Sequence, residues 1–177
     1  MKKLIIATVA VMLGVAANAA AVTWGLTSVT ASPDAPAAAG WQVYVMNAST
    51  YDTFAALTAD KVVDYAMSNY AYSTTTAAGR GGVINVSYKG GSFAGGETVS
   101  SYLVLFNNAS ADSATYFAYT ATGSTTIPEG GSDMSISFGT FASATSTTGG
   151  WTAVPEPTSG LLLLLGMAGL ALKRKRA

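Results

Sequence analysis

The sequence contains no cysteine and no histidine, and only 10% of its 177 residues are charged. Without cysteine there is no disulfide framework, no thiolate metal site and no cysteine nucleophile. Without histidine the commonest general base and the commonest metal ligand are both missing. Positive charge is scarce in the middle of the chain. Between residues 20 and 153 the only cations are Lys61, Arg80 and Lys89, against eight acids. Three cations cannot form a phosphate-binding patch, so no nucleic-acid partner is expected. The formal net charge of zero therefore averages over unlike segments.

What is present is most informative at the two ends. Lys2 and Lys3 precede an apolar run of 12 residues, Leu4 to Val15. Small residues follow, and Ala17-Asn18-Ala19 forms an A-x-A site. This order is that of a secretory signal peptide, residues 1–19. Cleavage is expected between Ala19 and Ala20, with Ala21 the alternative. Twelve helical residues rise about 18 Å, short of a hydrocarbon core of roughly 30 Å. A cleaved signal helix suits that length better than a permanent span, and signal peptidase is the implied partner.

Near the other end, Val154-Pro155-Glu156-Pro157 precedes a second apolar run, Gly160 to Leu172, and then Lys173, Arg174, Lys175 and Arg176. The prolines fix φ and remove backbone donors, so this tripeptide is extended and cannot lie inside a helix or a sheet ladder. The 13-residue run rises about 20 Å as a hydrophobic helix. The four cations act as a stop-transfer signal held on the cytoplasmic side. This order of motif, apolar helix and basic cluster, over residues 154–177, resembles the PEP-CTERM sorting signal. The resemblance implies recognition by an exosortase, a membrane-embedded cysteine enzyme of bacteria that make extracellular polysaccharide. It also implies cleavage at or near Pro155-Glu156-Pro157, with transient membrane anchoring before release. No LPxTG-like sortase motif is present.

The body, residues 20–142, reads as all-β, a β-sandwich or jelly roll, with an open barrel as the alternative. Val22-Trp24-Leu26 alternate as in a half-buried strand, and so do Trp41 to Asn47, Val83 to Lys89 and Met134 to Phe138. Thr98 to Phe106 is apolar on both faces, which marks a central strand, and Thr115 to Thr122 returns beside it. A helical insertion is expected over about 50–68, where Phe54, Leu57, Val62 and Tyr65 fall near helical spacing. Ser49 or Thr50 would cap its start, and Thr58 would begin a second short helix. Residues 143–153 are rich in Ser, Thr and Gly and read as a linker.

The body offers little chemistry. The loop Asn107 to Asp112 is a weak calcium candidate with one acid, and reads better as a turn with Asx hydrogen bonds. Its acids fall mostly in polar turns or on an exposed helix face, whereas a carboxylate hydrolase needs two facing each other across a substrate. Ser87 and Lys89 share one side of a strand but lie in no S-x-x-K helix. Tyr70 and Tyr72, at i and i+2, share a face if extended, and would form a platform for stacking on a sugar ring. The expectation is therefore a secreted or cell-surface protein without enzymatic activity or cofactor, associated with extracellular polysaccharide. A glycan-binding module using exposed tyrosines is the alternative, and a hydrolase the third reading.

Overall fold

The computed structural model describes residues 19–139 and 150–155. The strands are β1 (Ala20–Leu26), β2 (Gln42–Asn47), β3 (Tyr70–Thr75), β4 (Ala77–Ala78), β5 (Ile84–Phe93), β6 (Thr98–Phe106), β7 (Tyr116–Tyr119), β8 (Gly123–Thr126), β9 (Met134–Phe138) and β10 (Thr152–Ala153). Two helices, α1 (Tyr51–Ala55) and α2 (Ala59–Asn69), connect β2 to β3. One sheet has the order β4-β5-β1-β9, the other β10-β7-β6-β2-β3 with β8 also on β6. The all-β expectation holds, with the helical insertion where the sequence places it. The β1–β9 pair is parallel, which departs from an all-antiparallel jelly roll. The expected helices at residues 4–15 and 160–172 lie outside the described residues. Among the described residues no helix is long and apolar enough to cross a membrane.

Alternation places the core. In β1, Ala20, Val22, Trp24 and Leu26 are buried and the residues between them are not. They meet Ile136 and Phe138 of β9, Val43 and Val45 of β2, and Leu103 and Leu105 of β6 between the two sheets. The other face of the second sheet also needs cover, because Tyr44, Met46, Tyr102, Val104 and Phe106 point that way. Phe54 of α1 and Val62 and Ala66 of α2 supply it. The molecule thus has three layers, sheet on sheet on helices. β6 is buried on both faces, as its continuous apolar run requires.

Two strand switches shape the sandwich. Along the edge of β6 opposite β2, β8 pairs with Thr98 to Ser101 and β7 with Val104 to Phe106. The break between them is bridged by Thr120, whose N–H donates to Leu103 O and whose Oγ1 accepts from Leu103 N, both at 3.0 Å. Past this break the chain closes on the first sheet. A Cβ added to Gly123 would lie 2.6 Å from Ile136 Cγ2. On the opposite side, β3 belongs to the second sheet and β4 to the first, with buried Thr76 between them. Its hydroxyl donates to Ala38 O at 2.7 Å and accepts from Trp41 N at 2.9 Å, so the corner leaves no orphan there.

Helix entry differs from the expected caps. Asn47 Oδ1 accepts from Ser49 N at 3.0 Å and caps a short 3₁₀ turn, Ala48–Thr50, that leads into α1. Thr50 instead donates its hydroxyl to Asn47 O at 2.8 Å and shares a hydrogen bond with the Tyr102 hydroxyl at 3.0 Å. Thr58 stands at the start of α2, as its position in the sequence implies.

Candidate functional site

The residues just before the Pro-Glu-Pro tripeptide are built into the sheet. Trp151 is 3% exposed. Its ring meets Trp41 edge-on, with centroids 5.5 Å apart, and its Nε1 donates to Thr30 Oγ1 at 3.3 Å. Thr152 and Ala153 pair antiparallel with Phe117 and Tyr116. Val154 N–H then donates to Thr115 O at 2.8 Å. This corrects the linker assignment of 143–153 for its last three residues. Small polar composition argues for a loop, but one tryptophan beside a buried partner outweighs it. Pro155 follows and is exposed. A proline here ends the pairing, because it brings no N–H to the ladder.

The strand partner of Val154 is itself braced. Asn107 is buried, and its Oδ1 accepts from the backbone N–H groups of Thr115 and Tyr116 at 3.0 and 2.9 Å. Its Nδ2 donates to Asp34 Oδ1 and to Thr115 Oγ1, both at 2.9 Å. The Thr115 and Ser32 hydroxyls also donate to Asp34, and together they hold its carboxyl below the usual carboxylate range. The Asn107–Asp112 loop therefore uses its first side chain inwardly, as a hydrogen-bond hub. Asn108 Oδ1 accepts from Ser110 N at 3.4 Å. Among the described residues no cluster of three metal-ligating side chains occurs.

The other expected site residues lie as follows. Ala19 is exposed and Ala20 begins β1 with 1% exposure. Ala21 N–H donates to Asp133 Oδ1 at 2.8 Å. Glu156, Pro157 and Lys173 to Arg176 lie outside the described residues. Tyr70 and Tyr72 do not share a face, which corrects the expected platform. Tyr72 pairs with Val45 and Tyr70 with Met46, so Ala71 is an extra residue on β3. Such a bulge breaks the two-residue alternation. Tyr70 stacks on Tyr44 at 4.7 Å on the helix side, while Tyr72 packs on Trp24 at 5.1 Å between the sheets. Lys89 is ion-paired with Asp133.

A polar cleft that sequence reasoning passed over lies elsewhere. It has a volume of about 340 Å³ and is lined by Tyr51, Asp52, Ser100, Thr122 and Ser124, among others. The neighbours of Tyr51 come from β6 and β8, which no local spacing brings together.

Residues 153–176 match the family model of the PEP-CTERM protein-sorting motif. The tail is a PEP-CTERM sorting tail. Such a tail marks an exported protein of the cell envelope or surface that an exosortase-like enzyme processes. The match begins inside β10, so the sorting motif and the folded body overlap at Ala153 and Val154. No curated protein and no solved structure matches the chain.

Proposed function

We propose that this is a non-enzymatic protein of the cell surface or extracellular matrix, exported by a cleaved signal peptide and held briefly in the membrane by its tail. The observation that carries the reading is the matched sorting motif at 153–176, joined to a body without cysteine or histidine. Signal cleavage after Ala19 agrees with β1 starting at Ala20. Cleavage after Ala21 would remove Ala20 from the core and the Ala21 N–H from Asp133. From Pro155 to Gly160 the chain can extend about 17 Å at most. Before processing, the Thr115 end of the sandwich therefore stands close to the membrane. Association with extracellular polysaccharide is the destination this reading implies. The test replaces Pro155, Glu156 and Pro157 together by alanine. The precursor should accumulate in the membrane fraction, and an unchanged mass and location would refute the reading.

A second reading, glycan binding, is favoured by the Tyr51–Asp52 cleft rather than by Tyr70 and Tyr72. A carboxylate and several hydroxyls beside an aromatic ring match the alternating polar and apolar faces of a sugar. Binding on a glycan array that is lost in Asp52→Ala and kept in Tyr70→Ala would support it. Equal binding by both variants would remove it.

A further inference from the structure

We propose that β10 gates processing of the sorting tail, so that the enzyme acts only when this strand lifts from the sheet. The inference rests on the reading that Pro155-Glu156-Pro157 is the processed motif. An enzyme that cuts a peptide bond holds several residues extended on both sides of that bond. On the upstream side those residues are Thr152, Ala153 and Val154. They are paired with Phe117, with Tyr116 and with Thr115 O respectively. Their backbone groups cannot serve the sheet and an enzyme cleft together. Trp151, buried against Trp41, bounds the segment that has to open.

The opening is local. β10 is an edge strand two residues long, and such elements open far below the free energy of global unfolding. Each backbone hydrogen bond lost shifts the equilibrium by about fivefold. Two such bonds would already leave the open form roughly 25-fold rarer than the closed one. When opening is fast relative to cutting, the rate of cutting follows that population. The gate also depends on folding, since β10 has a partner only once β7 and the Asn107 hub are in place.

The experiment is a pulse–chase of the full chain in cells that carry the processing enzyme, with precursor and product resolved by mass. One variant inserts a six-residue Gly-Ser spacer between Val154 and Pro155, leaving β10 and the Pro155-Glu156-Pro157 tripeptide each unbroken. Its precursor should convert about tenfold faster than the parent. A second variant, Ala153→Cys with Tyr116→Cys, ties β10 to its neighbour across a directly paired position. Its oxidised form should convert at least tenfold more slowly, and reduction should restore the parent rate. Unchanged or slower conversion of the spacer variant overturns the gate, as does equal conversion of the oxidised and reduced pair. The Pro155, Glu156 and Pro157 triple-alanine chain separates the two levels. If it is left uncut, the motif reading stands whatever the gate does. If it is processed like the parent, the motif reading fails and takes the gate with it.

Discussion

Replacing Trp151 by alanine measures how firmly the end of the body is docked. The side chain is 3% exposed, stands edge-on to Trp41 and bonds Thr30 through its indole N–H. Truncating a buried tryptophan to alanine costs about 3–5 kcal/mol. Trp151 lies next to a two-residue edge strand, where the chain can relax into the gap, so about 3 kcal/mol is the expected loss. For a domain of this size that lowers Tm by roughly 10 °C. Urea and thermal unfolding of the purified mature protein, followed by circular dichroism, measure it. Trp151→Phe keeps a ring against Trp41 and should lose only about half as much. The double-mutant cycle with Trp41→Ala should return a coupling of about 1 kcal/mol, the worth of one aromatic pair. A loss below about 1 kcal/mol, or additive single variants, would refute the docking. Residues 151–153 would then be the linker that their composition suggests.

Other perturbations probe the rest of the fold. Tyr102 is fully buried, and burial pushes its phenol up to about 12 despite its bond to Thr50. The folded state thus keeps a proton that an unfolded tyrosine releases near 10, so stability falls as pH rises from there through the folded pKa. A 295-nm titration should show one tyrosine ionising only near unfolding, and Tyr102→Phe should flatten the alkaline loss. Asp34 is shifted the other way, below 3.8, so its contribution is present above that pH and lost as pH falls through the folded value. Asp34→Asn should cost about 1 kcal/mol at pH 7, a small figure because the carboxylate is exposed, and progressively less as pH falls through the folded value, by chemical denaturation. Gly123→Ala should cost about 1–3 kcal/mol, because the added methyl meets the Ile136 side chain where β8 approaches β9. Lys89 and Asp133 are about half exposed, so Lys89→Ala should shift Tm little, and less in high salt.

Most strands were legible because alternation is a local signal. Val22, Trp24 and Leu26 declare a buried face by their spacing, and Leu103 to Phe106 declare a strand covered on both sides. The covering helices followed from Phe54 and Val62. Three things were not legible, each for a physical reason. The break at Thr120 depends on which strand lies opposite, since β7 and β8 share one edge of β6. β4 is two residues long and carries no pattern. The bulge at Ala71 is invisible in the sequence Tyr70-Ala71-Tyr72, which reads as regular alternation. Without it both rings would face one way. With it one serves the inter-sheet core and the other the helix side, and the expected sugar platform dissolves.

The sorting signals were legible for the opposite reason. Membrane and processing machinery read the tail in chain order, so Pro155-Glu156-Pro157, the apolar run and the basic cluster need no tertiary partner to be recognised. Where the tail meets the body the two kinds of information compete. Ser143 to Ala153 reads as one small polar stretch apart from Trp151, yet Trp151 finds Trp41 in the core between the sheets. Charge divides at the same place. Lys2, Lys3 and the four cations of 173–176 lie in the two terminal segments, with Glu156 their one acid. The body keeps three cations against eight acids, a net of −5. If both ends are removed as proposed, a neutral precursor becomes an acidic product. On that proposal the change would be readable as a shift in isoelectric point between precursor and processed forms, and its size would tell whether both cuts or only one had occurred.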